Sequence, residues 1–219
     1  MIEIKKRILT SLFLLVIIFF SFINSYILYL LIFFLNFNVL DEFLKLFRKI
    51  YKNKKKIIFV VFMLSTTYML YFTLVLIYFL NGPFENNKYV LFFILLICIS
   101  TDIGGFVFGK IIGGKKLSSI SPNKTISGLI GSFIFALIFG YIYYELQNNL
   151  LNINLNLFLL ILLTSFLSQI GDLAISYLKR MAKLKDTGSI LPGHGGILDR
   201  VDGILLALPL SIILIIITT

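Results

Sequence analysis

Seven stretches of apolar residues, separated by short polar or charged segments, organise this chain of 219 residues. They run from Ile8 to Phe22, Ile23 to Phe37, Ile57 to Leu80, Tyr89 to Phe108, Ile126 to Tyr144, Asn154 to Ile175 and Gly203 to Ile217. A helix rises about 1.5 Å per residue, so roughly 20 apolar residues cross the hydrocarbon of a bilayer. The first two stretches are short by that measure. With Asn24 and Ser25 near their join, they read either as a tight hairpin or as one long kinked element. The pattern predicts an all-α, polytopic integral membrane protein with seven transmembrane helices, and no repeat of 20 to 50 residues is visible in it.

Charge gives a second, independent reading. With seven spans and a cytoplasmic N-terminus, the cytoplasmic segments are residues 1–7, 38–56, 109–125 and 176–202. They hold 3, 7, 4 and 5 Lys or Arg, which is 19 of the 20 in the chain, and Lys88 alone falls outside. So complete a bias supports both the count and the orientation by the positive-inside rule. It also puts the two most polar loops on the side where nucleotides and Mg²⁺ are available. The run Lys52 to Lys56 is read as a topology anchor against anionic lipid.

Lys5, Lys6 and Arg7 precede the first apolar run, as in a signal peptide, but no small-residue cleavage pattern follows, so that run is read as a retained span.

Composition narrows the chemistry. The hydrophobic set makes up 59% of residues, mean hydropathy is +1.01 and 14% of residues are charged, outside the range of a soluble domain. A net charge of +10 raises nucleic-acid binding, but the basic residues flank apolar spans, so no nucleic-acid partner is expected. A single cysteine, Cys98, and a single histidine, His194, exclude a disulfide framework and a conventional zinc site.

A few polar residues then need explaining. Asp102 lies at membrane depth, where a carboxylate is costly unless paired, hydrated or coordinated; it reads either as a ligand or as polar support within the bundle. Gly104, Gly105 and Gly109 beside it permit close approach to a ligand or to a neighbouring helix. Ser121, Pro122, Asn123, Lys124 and Thr125 open a helix, and its first backbone N–H groups with Lys124 make a reasonable anion cradle. Asp172 stands a turn or more before the basic boundary of Lys179, Arg180, Lys183 and Lys185, with Asp186 following.

The densest cluster is Leu191 to Asp202, reading LPGHGGILDRVD. Glycines on both sides leave His194 exposed to a ligand, and Asp199 and Asp202, three apart, share a face if helical. Arg200 between them can hold the loop or grip a phosphate. Paired carboxylates with oxygen-only donors favour Mg²⁺. With basic side chains alongside, the pattern suggests phosphoryl or nucleotidyl transfer at a membrane boundary, without a P-loop.

Residues 176–202, SYLKRMAKLKDTGSILPGHGGILDRVD, resemble the signature of the phosphatidate cytidylyltransferases, also called CDP-diacylglycerol synthases. SPNKTISG, residues 121–128, and GDLAIS, residues 171–176, resemble two further motifs of that family, and Asp102 corresponds to its intramembrane Asp. The resemblance covers about residues 95–210. Ser127 and Ile175 stand where the family carries glutamates, which bears on a second cation site.

The resemblance implies CTP plus phosphatidate giving CDP-diacylglycerol and pyrophosphate. On that basis Asp172, Lys185, Asp186, Asp199 and Asp202 are the expected catalytic residues, and Asp172, Asp199 and Asp202 the expected Mg²⁺ ligands. One or two divalent ions are expected, with a monovalent cation as a further option. Ser121, Lys124, Thr125, Lys179, Arg180, His194, Gly195, Gly196 and Arg200 are expected at the triphosphate, nucleotide or lipid phosphate. Asp186 either ligates metal or orients Lys185. Residues 1–90 are read as N-terminal membrane spans and 91–219 as the catalytic membrane region of one continuous domain.

A homodimer in contact with membrane phospholipid, in the bacterial inner membrane with its site facing the cytoplasm, follows from the same resemblance. Rival readings are another lipid-phosphate enzyme, a transporter and a scaffold. The Asp-Gly-x-x-Ala-Arg motif of CDP-alcohol phosphotransferases is absent, no inverted repeat supports transport, and a scaffold leaves Gly-His-Gly-Gly and the paired aspartates without a task.

Overall fold

A computed structural model describes residues 2–52, 54–82, 86–117, 121, 124–147, 151, 153, 155–191 and 195–218. Seven helices follow in chain order: α1 (Ile2–Ile23), α2 (Ser25–Tyr51), α3 (Lys55–Asn81), α4 (Asn87–Ile111), α5 (Ile126–Leu146), α6 (Leu157–Met181) and α7 (Leu198–Thr218). Six of them, α2 to α7, are long and apolar enough among the described residues to cross a bilayer, against the seven spans expected. The chain is a multi-pass, all-α membrane protein. Many large apolar side chains face outward, among them Leu30, Phe33, Phe37 and Phe106, as a lipid-immersed surface requires.

The helices outrun the apolar runs that signal them. Residues 38–51 continue α2 through Asp41, Glu42 and Lys45, and α6 runs on through Lys179 and Arg180. Backbone hydrogen bonding does not stop where hydrophobicity does, so a span can project a turn or more of charged helix beyond the hydrocarbon. Between α1 and α2 there is a single-residue break. Asn24 takes extended dihedrals, and its side chain accepts a hydrogen bond from the Tyr26 N–H at 2.9 Å, restarting the helix.

The chain divides into two compact units. One comprises Met1–Thr73 and Leu178–Val201, the other Leu74–Tyr177 and Asp202–Thr219. In the first, Val39, Leu46 and Leu198 are fully buried, and the Phe43 and Phe47 rings stack at 5.7 Å. In the second, Phe93, Ile94, Ile97, Leu160, Ile161 and Ile212 form the centre. Hydrogen bonds from Thr101 to Ser165 at 2.9 Å and between Thr164 and Ser211 at 2.8 Å link α4 to α6 and α6 to α7 there.

Glycines set the helix contacts of the second unit. A Cβ at Gly105 would stand 2.7 Å from Ser132 Oγ, one at Gly128 would stand 2.8 Å from the Gly105 carbonyl, and one at Gly131 would overlap the Phe108 side chain. Of the two partners the sequence allows for Gly104, Gly105 and Gly109, the neighbouring helix α5 is the one found. A Cβ at Gly171 on α6 would meet the Asp202 carbonyl at 2.6 Å, and one at Gly203 would meet Ser168 Oγ at 2.5 Å. Backbones touch at both crossings.

Candidate active site

In the second unit the segment before α5 folds back on itself. Leu117 N–H donates to the Lys124 carbonyl at 2.8 Å, Ile126 N–H to Lys115 at 3.0 Å, and Lys124 N–H to Ser121 at 3.0 Å. Gly113 and Gly114 turn the chain with φ of 65° and 104°, which side chains disfavour. Thr125 caps α5, its hydroxyl accepting from Gly128 N–H at 3.0 Å, and Ser127 donates to the Gly113 carbonyl. Ser127 thus ties the turn to the helix, and Ile175, at the other departure from the family pattern, is a buried core residue.

The folded-back turn delivers Lys124 to Asp172. The two form an ion pair through Asp172 Oδ2, and Ser176 Oγ donates to Oδ1 at 3.2 Å. Both charged side chains are about a quarter exposed, at 28% and 24%. Asp202 is half-buried in the first turns of α7, and its carboxylate accepts from the Gly203 N–H at 2.8 Å. Asp102 is exposed on α4.

The first unit holds a second acid–base cluster. Lys179 reaches Asp199 Oδ1 at 2.7 Å, with side-chain exposures of 15% and 4%. Asp199 Oδ2 accepts from Thr187 N–H at 2.8 Å and Gly196 N–H at 3.0 Å, and the Thr187 hydroxyl oxygen stands 3.0 Å from it. Three donors therefore occupy this carboxylate, which binds Thr187 and Gly196 to the start of α7. Asp199, one of the expected metal ligands, is held by these donors. Gly195, at φ of 82°, lies against the same group.

Arg180, Lys185, Asp186 and Arg200 are exposed in this unit. His194 lies outside the described residues.

Sequence reasoning missed Glu42. Its side chain is fully buried and accepts from Ile197 N–H and Leu198 N–H, both at 2.9 Å, and from the Thr187 hydroxyl at 2.6 Å. The only signal was that Asp41 and Glu42 are the sole acids between Glu3 and Glu85. A Cβ at Gly196 would overlap Glu42 and Thr187, so that glycine makes room for a carboxylate of the protein itself. Beside this network, Lys45, Lys49, Asp186 and Ser189 help to line a cavity of about 330 Å³.

Among the described residues, no three acidic, His or Cys side chains gather closely enough to hold a metal ion by themselves. Asp172 and Asp202 are partly exposed oxygen donors on helices that touch at Gly171, a donor set suited to a hard cation that keeps several non-protein oxygens.

The model of the cytidylyltransferase family matches residues 52–218. Proteins described as phosphatidate cytidylyltransferases resemble the chain. That of Staphylococcus haemolyticus is 44% identical over 143 residues, 64% of this chain and 53% of the relative. The Staphylococcus epidermidis protein is 41% identical over 143 residues, with the same coverage of both chains. In the Staphylococcus aureus protein, 43% identity extends over 138 residues, 60% of this chain and 50% of the relative. The chain spans about half the length of these relatives. With a matched segment that contains both acid–base clusters and covers most of the sequence, the chain belongs to the cytidylyltransferase family.

Proposed function

We propose that the protein transfers the cytidylyl group of CTP to phosphatidate, releasing pyrophosphate and forming CDP-diacylglycerol. The observation that carries this is the presence, inside the family-matching segment, of two basic residues near helix ends, each held by a carboxylate, Lys124 with Asp172 and Lys179 with Asp199. The relatives named for the same reaction support the choice of lipid.

The chemistry sets the task. Phosphatidate is already anionic, so its phosphate oxygen attacks the α-phosphorus of CTP without a strong base, and pyrophosphate leaves as the P–O bond to the β-phosphate breaks. Bringing two polyanions together is the obstacle, and positioning with charge neutralisation removes it. Lys124 and Lys179 arrive oriented by their partners. Exposed Arg180, Lys185 and Arg200 supply further positive charge, Ser121 and Thr125 contact phosphate, and His194 with Gly195 and Gly196 shapes the nucleotide pocket. Asp186 either ligates metal or orients Lys185.

Asp172 and Asp202 are proposed to hold Mg²⁺, with Asp199 fixing the loop that precedes Asp202 on α7. The ion, when bound, withdraws charge from phosphate oxygens. The reading includes a cytoplasm-facing site in the inner membrane, from the charge bias of 19 basic residues in 20, and the homodimer that the family resemblance implies.

The test is pyrophosphate release by purified protein in detergent with CTP, phosphatidate and Mg²⁺, beside Asp202→Asn. Phosphatidate-dependent release with CDP-diacylglycerol as product, reduced about 100-fold in the variant, is the expected result. A folded preparation that makes no product from phosphatidate overturns the reading.

A further inference from the structure

We propose that Glu42 is a positioning residue for the reaction, holding Thr187, Gly196 and Asp199 in their working arrangement from α2. The proposal rests on the cytidylyl-transfer reading for its kinetic consequence, though not for its structural one.

The start of a helix leaves backbone N–H groups without intrahelical acceptors, and a nearby Ser, Thr, Asn or Asp ordinarily caps them. At α7 a carboxylate from 155 residues earlier in the chain performs this task. Glu42 Oε1 accepts from Ile197 N–H and Oε2 from Leu198 N–H, where a negative charge also meets the positive end of the helix dipole. Full burial makes a carboxylate expensive unless its oxygens are well supplied with donors, and three donors converge here. A local cap would satisfy the helix at lower cost, so the distant acid has a further consequence to explain.

That consequence runs through Thr187. Its hydroxyl donates to Glu42 Oε2 at 2.6 Å and stands 3.0 Å from Asp199 Oδ2, and its N–H donates to the same Asp199 oxygen. The hydroxyl has one proton, and the shorter contact assigns it to Glu42. Asp199 in turn receives Lys179. A displacement at Glu42 therefore passes to Thr187, Asp199 and Lys179 through consecutive hydrogen bonds.

The glycines of the loop fit the same account. A Cβ at Gly188 would stand 2.6 Å from Glu42 Oε1, and one at Gly196 would overlap Oε2. The base of α2 itself is fixed by buried Val39 and Leu46 and by the Phe43–Phe47 stack, so Glu42 is a rigid point of attachment.

The experiment compares wild type with Glu42→Gln in detergent, by steady-state kinetics and by amide hydrogen exchange. Gln keeps the shape but turns an NH₂ toward groups that are themselves donors. Expected are faster exchange confined to the described residues between 186 and 199, an unfolding midpoint moved by less than about 5 °C, and kcat/KM for CTP per folded molecule lowered by about 30-fold. A residue that only stabilised the fold would lower the midpoint and leave kcat/KM per folded molecule intact. That outcome, or exchange at 186–199 unchanged, overturns the proposal.

If Glu42→Gln is recovered only as aggregate, Thr187→Val, which removes the linking hydroxyl at constant shape, is read by the same criteria with about a 5-fold loss expected. Wild-type protein that makes no product from phosphatidate defeats the reaction assigned above, while the exchange data still decide whether Glu42 holds the loop.

Discussion

Lys179 and Asp199 meet at 2.7 Å with the carboxylate only 4% exposed, whereas Lys124 and Asp172 pair with about a quarter of each side chain in contact with solvent. Burial separates their energetics. Removing one member of a buried pair strands the other, at about 3 to 5 kcal/mol, while a solvated pair contributes about 1 kcal/mol or less. Asp199→Asn is expected to lower the unfolding midpoint in detergent well below that of Asp172→Asn. Equal midpoints would show that the buried arrangement adds nothing to stability.

Those two variants diverge in the opposite sense in their response to Mg²⁺. Asp172→Asn is expected to raise the Mg²⁺ concentration for half-maximal CDP-diacylglycerol formation by about 10-fold or more, because a proposed ligand is lost. Asp199→Asn is expected to lower kcat at an unchanged Mg²⁺ requirement. A Mg²⁺ titration of both at saturating CTP decides, and a shifted requirement in Asp199→Asn would return that residue to the ligand set.

The α4–α5 contact tolerates no added carbon. Gly131→Ala is expected to destabilise by about 1 to 3 kcal/mol, since its methyl would overlap Phe108 in a close-packed interface. Gly113→Ala meets no atom within 4 Å, yet its φ of 65° is disfavoured for alanine, so a smaller loss of about 1 kcal/mol is expected. Thermal unfolding of the two proteins gives the comparison, and a lower midpoint for Gly113→Ala than for Gly131→Ala would contradict it.

Orientation has its own test. With Cys98→Ser as background, Lys115→Cys and Asn81→Cys place single thiols at exposed sites on segments assigned to opposite sides of the membrane. A membrane-impermeant thiol reagent applied to intact cells is expected to label the residue-81 cysteine, and the residue-115 cysteine only after lysis. The reverse pattern would invert the topology.

Much of the helix content is legible in the sequence because lipid imposes a plain rule, long apolar runs punctuated by charge. Asp199 and Asp202 both lie on α7, the helical case that their spacing of three leaves conditional in the sequence. What escaped were interactions between distant segments. Glu42 looks like an ordinary charged flank of a span, beside Asp41, which does pair locally with Lys45 at 2.5 Å. Only the fold reveals that Glu42 turns inward to amides 155 and 156 residues later. Gly196 escaped for the same reason: a glycine next to His194 suggests access for a ligand, and only the fold shows that its missing side chain also accommodates Glu42 and Thr187. Ends of helices were underestimated because hydropathy reports the solvent around a segment, and hydrogen bonding within it continues past the boundary.

Bare backbone at Gly105 and Gly128 has a mechanical meaning for α4 and α5. Two helices whose main chains touch through alternating glycines and larger neighbours behave like a keyed joint. Sliding α5 along α4 by one residue would drive Leu129 or Ser127 into the space that only Gly128 fits. The joint has one register, and the folded-back turn that carries Lys124 adds the stiffness of that key to the hydrogen bonds of its own.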